Sequence, residues 1–192
     1  MNEELYNLIE ANGLYALSNG TKGKQLTTNL LNSVDFDKSK DLKYTYLFWA
    51  DLQGANLFMA NLEGADLQFA SLQEANFQKA NLQEANLQKA YLRGADLQEA
   101  DLKRALMFRS ILIEADLQEA NLQEVDLRRA YLYKAKLQGA ILEGANLRGA
   151  NLWGADLEEA KLQGANLQGA EFTRAKLTKT QREYVLSQGG IL

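Results

Sequence analysis

Ala80-Asn81-Leu82-Gln83-Glu84-Ala85-Asn86-Leu87-Gln88-Lys89 runs through one five-residue pattern twice, and the architecture follows from that period. Working outward in both directions, a leucine or a stand-in for it returns at every fifth position from Leu42 to Leu177. These are 28 consecutive units, with 25 Leu, Phe77, Phe172 and Met107 at their centres. From Ala50 onward the residue two before each centre is small and nearly always Ala, with Ser110 and Val125 departing. The residue just before the centre is most often Asn or Asp.

Local propensity points to helix, because Ala, Leu, Gln, Glu, Lys and Arg dominate the stretch. The period excludes it. At roughly 100° per residue, five steps turn about 500°, so successive leucines would be displaced by about 140° around a helix. No single partner surface could bury them. The 3.5-residue period of a coiled coil and the two-residue alternation of a strand fit no better. A constant register of one residue in five is buried by a coil whose corners recur every five residues. Four such sides use about 20 residues per coil, with Leu at the middle of each side and Ala beside it pointing inward. The other three positions face outward. At a strand-like spacing of about 4.8 Å, the 28 units make about seven coils and a rod on the order of 34 Å long. Ala is required because a narrow tube is full once the leucines are in, and overpacking costs about 1–3 kcal/mol. Each coil contacts only its neighbours, as in other solenoids.

The units Ala-Asn-Leu-Gln-Glu, Ala-Asp-Leu-Gln-Glu and Ala-Asn-Leu-Arg-Gly closely resemble those of the pentapeptide-repeat proteins. The resemblance implies an all-β solenoid, a right-handed quadrilateral β-helix, over about 140 of the 192 residues. The domain reading is a helical N-terminal cap at 1–33, the β-helix at 34–179 and a helical C-terminal cap at 180–192.

Composition narrows the chemistry. A formal charge of −4 gives no reason to expect direct nucleic-acid binding. There is no Cys and no His, so disulfides, thiolate ligands and the commonest general base are all missing. Pro is absent too, which suits an unbroken ladder of backbone donors. The start, Met1-Asn2-Glu3-Glu4-Leu5, has no basic region followed by an apolar one, and no apolar run approaches the roughly 18 residues of a membrane span. The expectation is a soluble cytoplasmic protein that uses no cofactor and touches no membrane.

Outside the repeat, residues 1 to 20 read as helix, with Asn2 as N-cap, acids in the first turn and Leu5, Leu8 and Ile9 as an apolar stripe. Thr21-Lys22-Gly23-Lys24 lacks the glycine spacing of a phosphate loop. A short helix over Gln25 to Leu31 precedes Val34-Asp35-Phe36, whose register slips once before Leu42. Outward Tyr46, Phe48, Trp49, Phe58, Met59 and Phe69 offer a surface on which such a cap can lie. After Leu177, Thr180 is the expected N-cap of a helix through Leu186, closed by Gly189-Gly190. Both caps cover solenoid ends that would otherwise template aggregation. In related proteins a C-terminal helix dimerises, which implies a homodimer through Tyr184, Val185 and Leu186.

Residues 20 apart stack, so the sequence is also a surface map. Tyr91, Ile111 and Tyr131 form one column; Ile113, Tyr133 and Trp153 form the next. The preceding edge carries Lys89, Arg109 and Arg129, with Arg128 and Arg148 beside them. The opposite side carries Asp96, Glu99, Asp116, Glu119, Asp156, Glu158 and Glu159. Aromatics beside Arg are what protein-binding hot spots are made of. Lys89, Tyr91, Arg109, Ile111, Ile113, Arg129, Tyr131, Tyr133 and Trp153 are therefore the candidate partner-binding residues; the competing explanation is a stacking ladder along the rod. Asp96 and Asp116 share a column, but Lys136 and Asp156 continue it, which is the pattern of alternating surface charge. No catalytic or metal constellation is visible, and the leading reading is a non-enzymatic module that presents flat walls to a protein partner. The resemblance also implies a second reading: a DNA mimic that binds a type II topoisomerase (DNA gyrase), as in quinolone-resistance members. Against it stand the mild charge, one basic face and repeats that no loop interrupts.

Overall fold

The computed structural model describes residues 42–192. The expected helical segment 1–33 and the register slip after Phe36 lie outside the described residues.

The five-residue period becomes a four-sided coil. Isolated parallel bridges join each residue just before a centre to the one 20 later, from Tyr46↔Asp66 through Tyr91↔Ile111 and Ile111↔Tyr131 to Asp156↔Lys176. The hydrogen bonds are regular: Ser71 N donates to Ala50 O at 2.9 Å, and Leu52 N donates to Ser71 O at 2.8 Å. Backbone groups thus pair with the coils on either side rather than within a helix. This is why good helix formers do not make one: a helix would satisfy the backbone but scatter the leucines.

Each side closes with a turn in which the Ala N–H bonds back to the centre's carbonyl, as Ala55 N does to Leu52 O at 3.0 Å. The residue before that Ala has a positive φ, +64° at Gly54, which is the mark of a type II turn. Gly recurs at this corner because it adopts that backbone without strain. Glu74, Lys89, Arg109 and Glu119 occupy the same corner with φ of 56° to 58°. An L-residue there costs on the order of 1–2 kcal/mol, and the ladder above and below holds it in place.

The Asn or Asp before each centre has a local reason as well. Asn76 Oδ1 accepts from Gln78 N at 2.9 Å, and Asn151 Oδ1 accepts from Trp153 N at 3.0 Å. These are Asx turns, in which the side chain satisfies a backbone donor two residues on.

Inside, the centres and corner alanines form one continuous core; Leu92, Leu112, Leu132, Ala90 and Ala130 are all fully buried. Each buried Leu contributes roughly 1.5–3 kcal/mol by transfer from water.

After Leu177 the chain forms helix α1, Lys179–Ser187. Its N-cap is Thr178, not the expected Thr180. Thr178 accepts from Gln181 N and its own N–H donates to Gln181 Oε1, a capping box. Gln181 Nε2 donates to Leu157 O and Ala160 O at 2.7 and 2.9 Å, tying the helix to carbonyls of the coil below. Val185 is fully buried in the core, so the expected dimer contact through it is corrected: its side chain is not available to a second copy. Leu186 is exposed and Tyr184 half-buried. The chain then returns as Ile191, whose carbonyl accepts from Phe172 N at 2.6 Å.

Candidate functional site

Two outward columns meet along one edge of the rod. The corner column is Lys89, Arg109 and Arg129, each exposed at the positive-φ position, where the side chain projects from the turn. The adjoining column is Tyr91, Ile111 and Tyr131, bridged coil to coil. Together they line an open groove of about 560 Å³, to which Phe69, Ala130, Gly149 and Asn151 also contribute. Tyr91 and Tyr131 are 41% and 51% exposed, so their rings remain available.

Six of the nine expected residues are thereby brought together. The other three are not in the groove. Ile113, Tyr133 and Trp153 are half-buried in the neighbouring column, where the Tyr133 and Trp153 rings stack with centroids 4.9 Å apart and planes at 7°. Lys134 lies 5.2 Å from the Tyr133 ring and Arg174 lies 5.1 Å from the Trp153 ring. That column has the geometry of the stacking ladder. Phe69, Gly149 and Asn151 were not among the expected residues, yet the signal existed. Phe69 and Gly149 lie 20 residues before Lys89 and 20 after Arg129, and Asn151 lies 20 after Tyr131.

Stacking of like charge sets this edge apart. Several cations elsewhere bond acids one coil away or close by: Lys136 to Asp116 at 2.9 Å, Lys176 to Asp156 at 2.7 Å, Lys79 to Glu99 at 3.4 Å, and Arg104 to Glu124 at 2.9 Å. Others, such as Lys103, Arg148 and Lys161, form no ion pair among the described residues, but none of these belongs to a run of three cations on successive coils. Burial alone would raise the Asp116 carboxyl, but hydrogen bonds from Lys136 and Gln118 outweigh it and hold the pKa below the usual range. Arg128 does the same for Asp126 through a bidentate pair at 2.8 and 2.7 Å, again against burial. Among the described residues, Lys89, Arg109 and Arg129 form no ion pair. Lys89 instead lies 4.8 Å from the Phe69 ring, and Arg109 lies 5.2 Å from the Phe108 ring.

The groove column also forgoes local stabilisation. Tyr91, Ile111 and Tyr131 stand at the position where Asn or Asp makes the Asx turn, on three successive coils. The next residue of the column, Asn151, makes that bond.

Among the described residues, no group of His, Cys, Asp and Glu is placed to hold a metal ion, and no helix is long and apolar enough to cross a membrane.

With this geometry in view, the chain belongs to the pentapeptide-repeat family, whose profile matches residues 45–83, 70–107, 110–149 and 140–178. Members of that family fold as right-handed quadrilateral β-helices. A similar solved structure is the pentapeptide repeat protein Rfr23 from the cyanobacterium Cyanothece 51142, at 32% identity and a TM-score of 0.55; the match covers 62% of this chain and 91% of that one. Another is trypsin-treated QnrB1, a plasmid-mediated fluoroquinolone resistance protein, at 17% identity and a TM-score of 0.56, covering 82% of this chain and 94% of that one. At that identity the second likeness concerns the fold alone. Among proteins of curated function none matches.

Proposed function

We propose that the protein is a non-enzymatic interaction module and that the edge from Lys89 to Trp153 is its partner-binding surface. One observation carries this reading: on three successive coils the groove column replaces the Asx-turn residue by Tyr, Ile and Tyr beside three cations without ion pairs. Each forgone backbone bond is worth about 0.5–1.5 kcal/mol, somewhat more than the roughly 0.2–1 kcal/mol that a stacked pair along the ladder returns. Exposed aromatics next to Arg match the composition of binding hot spots. Membership of a family of structural and interaction modules supports the same class.

The topoisomerase-binding reading receives less support from this surface. The acids that would imitate a phosphate backbone are partly neutralised, Asp116 by Lys136 and Asp156 by Lys176.

Replacing Tyr91, Ile111 and Tyr131 together by Ser tests the reading. Loss of partner capture or a change in oligomer size, with the far-ultraviolet dichroism retained, is the expected result. Unchanged behaviour in both removes the binding surface from consideration.

A further inference from the structure

Resting on that reading, we propose that the groove's ligand is an acidic protein segment in extended conformation, whose carboxylates are received by Lys89, Arg109 and Arg129.

The argument begins with the column itself. Like charges on neighbouring strands are destabilising when they stand directly opposite one another. Elsewhere like charges stand opposite one another in pairs at most, as Asp96 and Asp116 do, and that column then alternates through Lys136, Asp156 and Lys176, where each Lys bonds an Asp 20 residues away. The Lys89–Arg109–Arg129 column repeats one sign on three successive coils and recruits no acid from its surroundings.

Spacing then selects the ligand's shape. Coils stacked at about 4.8 Å place the first and third cations about 10 Å apart. Along an extended peptide running parallel to the rod axis, residues i and i+2 point the same way and lie about 6.6–6.8 Å apart. Two carboxylates in an acid-x-acid segment therefore fall within the reach of three flexible cationic side chains. The wall two residues further on, Tyr91, Ile111 and Tyr131, gives the intervening or flanking apolar side chains a surface to cover. This apolar wall favours a peptide with apolar side chains over a nucleic acid, whose phosphates give it nothing to cover.

The test uses the full-length protein and fluorescence anisotropy of a labelled synthetic peptide, Gly-Glu-Val-Glu-Val-Glu-Gly. Its Gln-for-Glu analogue and a single-stranded oligothymidine of similar length are run beside it. The acidic peptide is expected to bind at least about tenfold more tightly than its neutral analogue. Its affinity should fall several-fold between roughly 50 and 300 mM salt, as screening shortens the reach of surface charge. Lys89→Gln, Arg109→Gln and Arg129→Gln combined should abolish the difference between the two peptides. Equal binding of both peptides, insensitivity to the triple substitution, or stronger binding of the oligothymidine overturns the proposal. Because the triple Gln variant could lose stability, its dichroism and melting point are measured, and Arg109→Lys serves as a charge-retaining control expected to keep the acidic preference. If the peptide fails while the Tyr91, Ile111 and Tyr131 to Ser variant still loses partner capture, only the ligand's chemistry is wrong. If both experiments are negative, the binding surface itself falls.

Discussion

Ser110→Ala is expected to stabilise the protein. Ser110 is fully buried at an inward corner where Ala90 and Ala130 occupy the equivalent places one coil away on either side. Its backbone is fully used, the N–H donating to Met107 O at 3.1 Å and the carbonyl accepting from Tyr131 N at 3.0 Å. Its hydroxyl has no hydrogen-bond partner. Thr45 at the same kind of corner is different, because Thr45 Oγ1 donates to Leu42 O at 2.7 Å. Burying an unpaired hydroxyl costs about 1–3 kcal/mol. Removing the oxygen leaves a void on the order of 10 Å³, which returns only about 0.2 kcal/mol of penalty. The net gain is therefore about 1–3 kcal/mol, or roughly 2–12 °C in melting temperature for a chain of this size. Urea denaturation followed by both dichroism and tryptophan fluorescence measures it, with coincident transitions as the check on two-state behaviour. Ala130→Ser, which places a second hydroxyl in the same column, should shift the midpoint the opposite way. A Ser110→Ala protein no more stable than the parent refutes the reasoning and means that the hydroxyl bonds the Met107 carbonyl, as Thr45 bonds Leu42.

Gly169→Ala should cost about 1 kcal/mol although the space around it is open, because φ is +66° and the penalty is purely conformational; Gly190→Ala should loosen the C-terminal segment for the opposite reason, since a Cβ there meets Val185 Cγ1 at 2.6 Å, and hydrogen exchange at Ile191 reads the difference. Asn76→Ala removes the Asx bond to Gln78 N and should cost about 0.5–1.5 kcal/mol by urea midpoint. In acid, Asp116 and Asp126 have folded pKa values held below the unfolded ones, so they stabilise the protein above the usual carboxylate range, about pH 4, and that contribution is lost as pH falls through their folded values. Lys136→Met and Arg128→Met should each flatten the acid limb of the stability curve; an unchanged limb in both contradicts the pairing.

The five-residue period alone determined a great deal here. Leu82 and Leu87 cannot share a helix face, so the coil, its 20-residue columns and the inward Leu and Ala were all readable before any coordinates. That Lys89, Arg109 and Arg129 line up, and that Lys136 interrupts the Asp column, followed from the same arithmetic. Periodicity states which residues stack, because backbone pairing from coil to coil is insensitive to side-chain detail. It does not state how far each side chain leans, and that is where Tyr131 in the groove and Tyr133 in the stacked ladder part company. The choice between Thr178 and Thr180 was likewise beyond local reading, since each has Gln or Glu three residues on and fits a capping box. Tertiary structure decided it, through the bonds of Gln181 to the Leu157 and Ala160 carbonyls, because only the helix starting at Thr178 satisfies its own end and the end of the coil together.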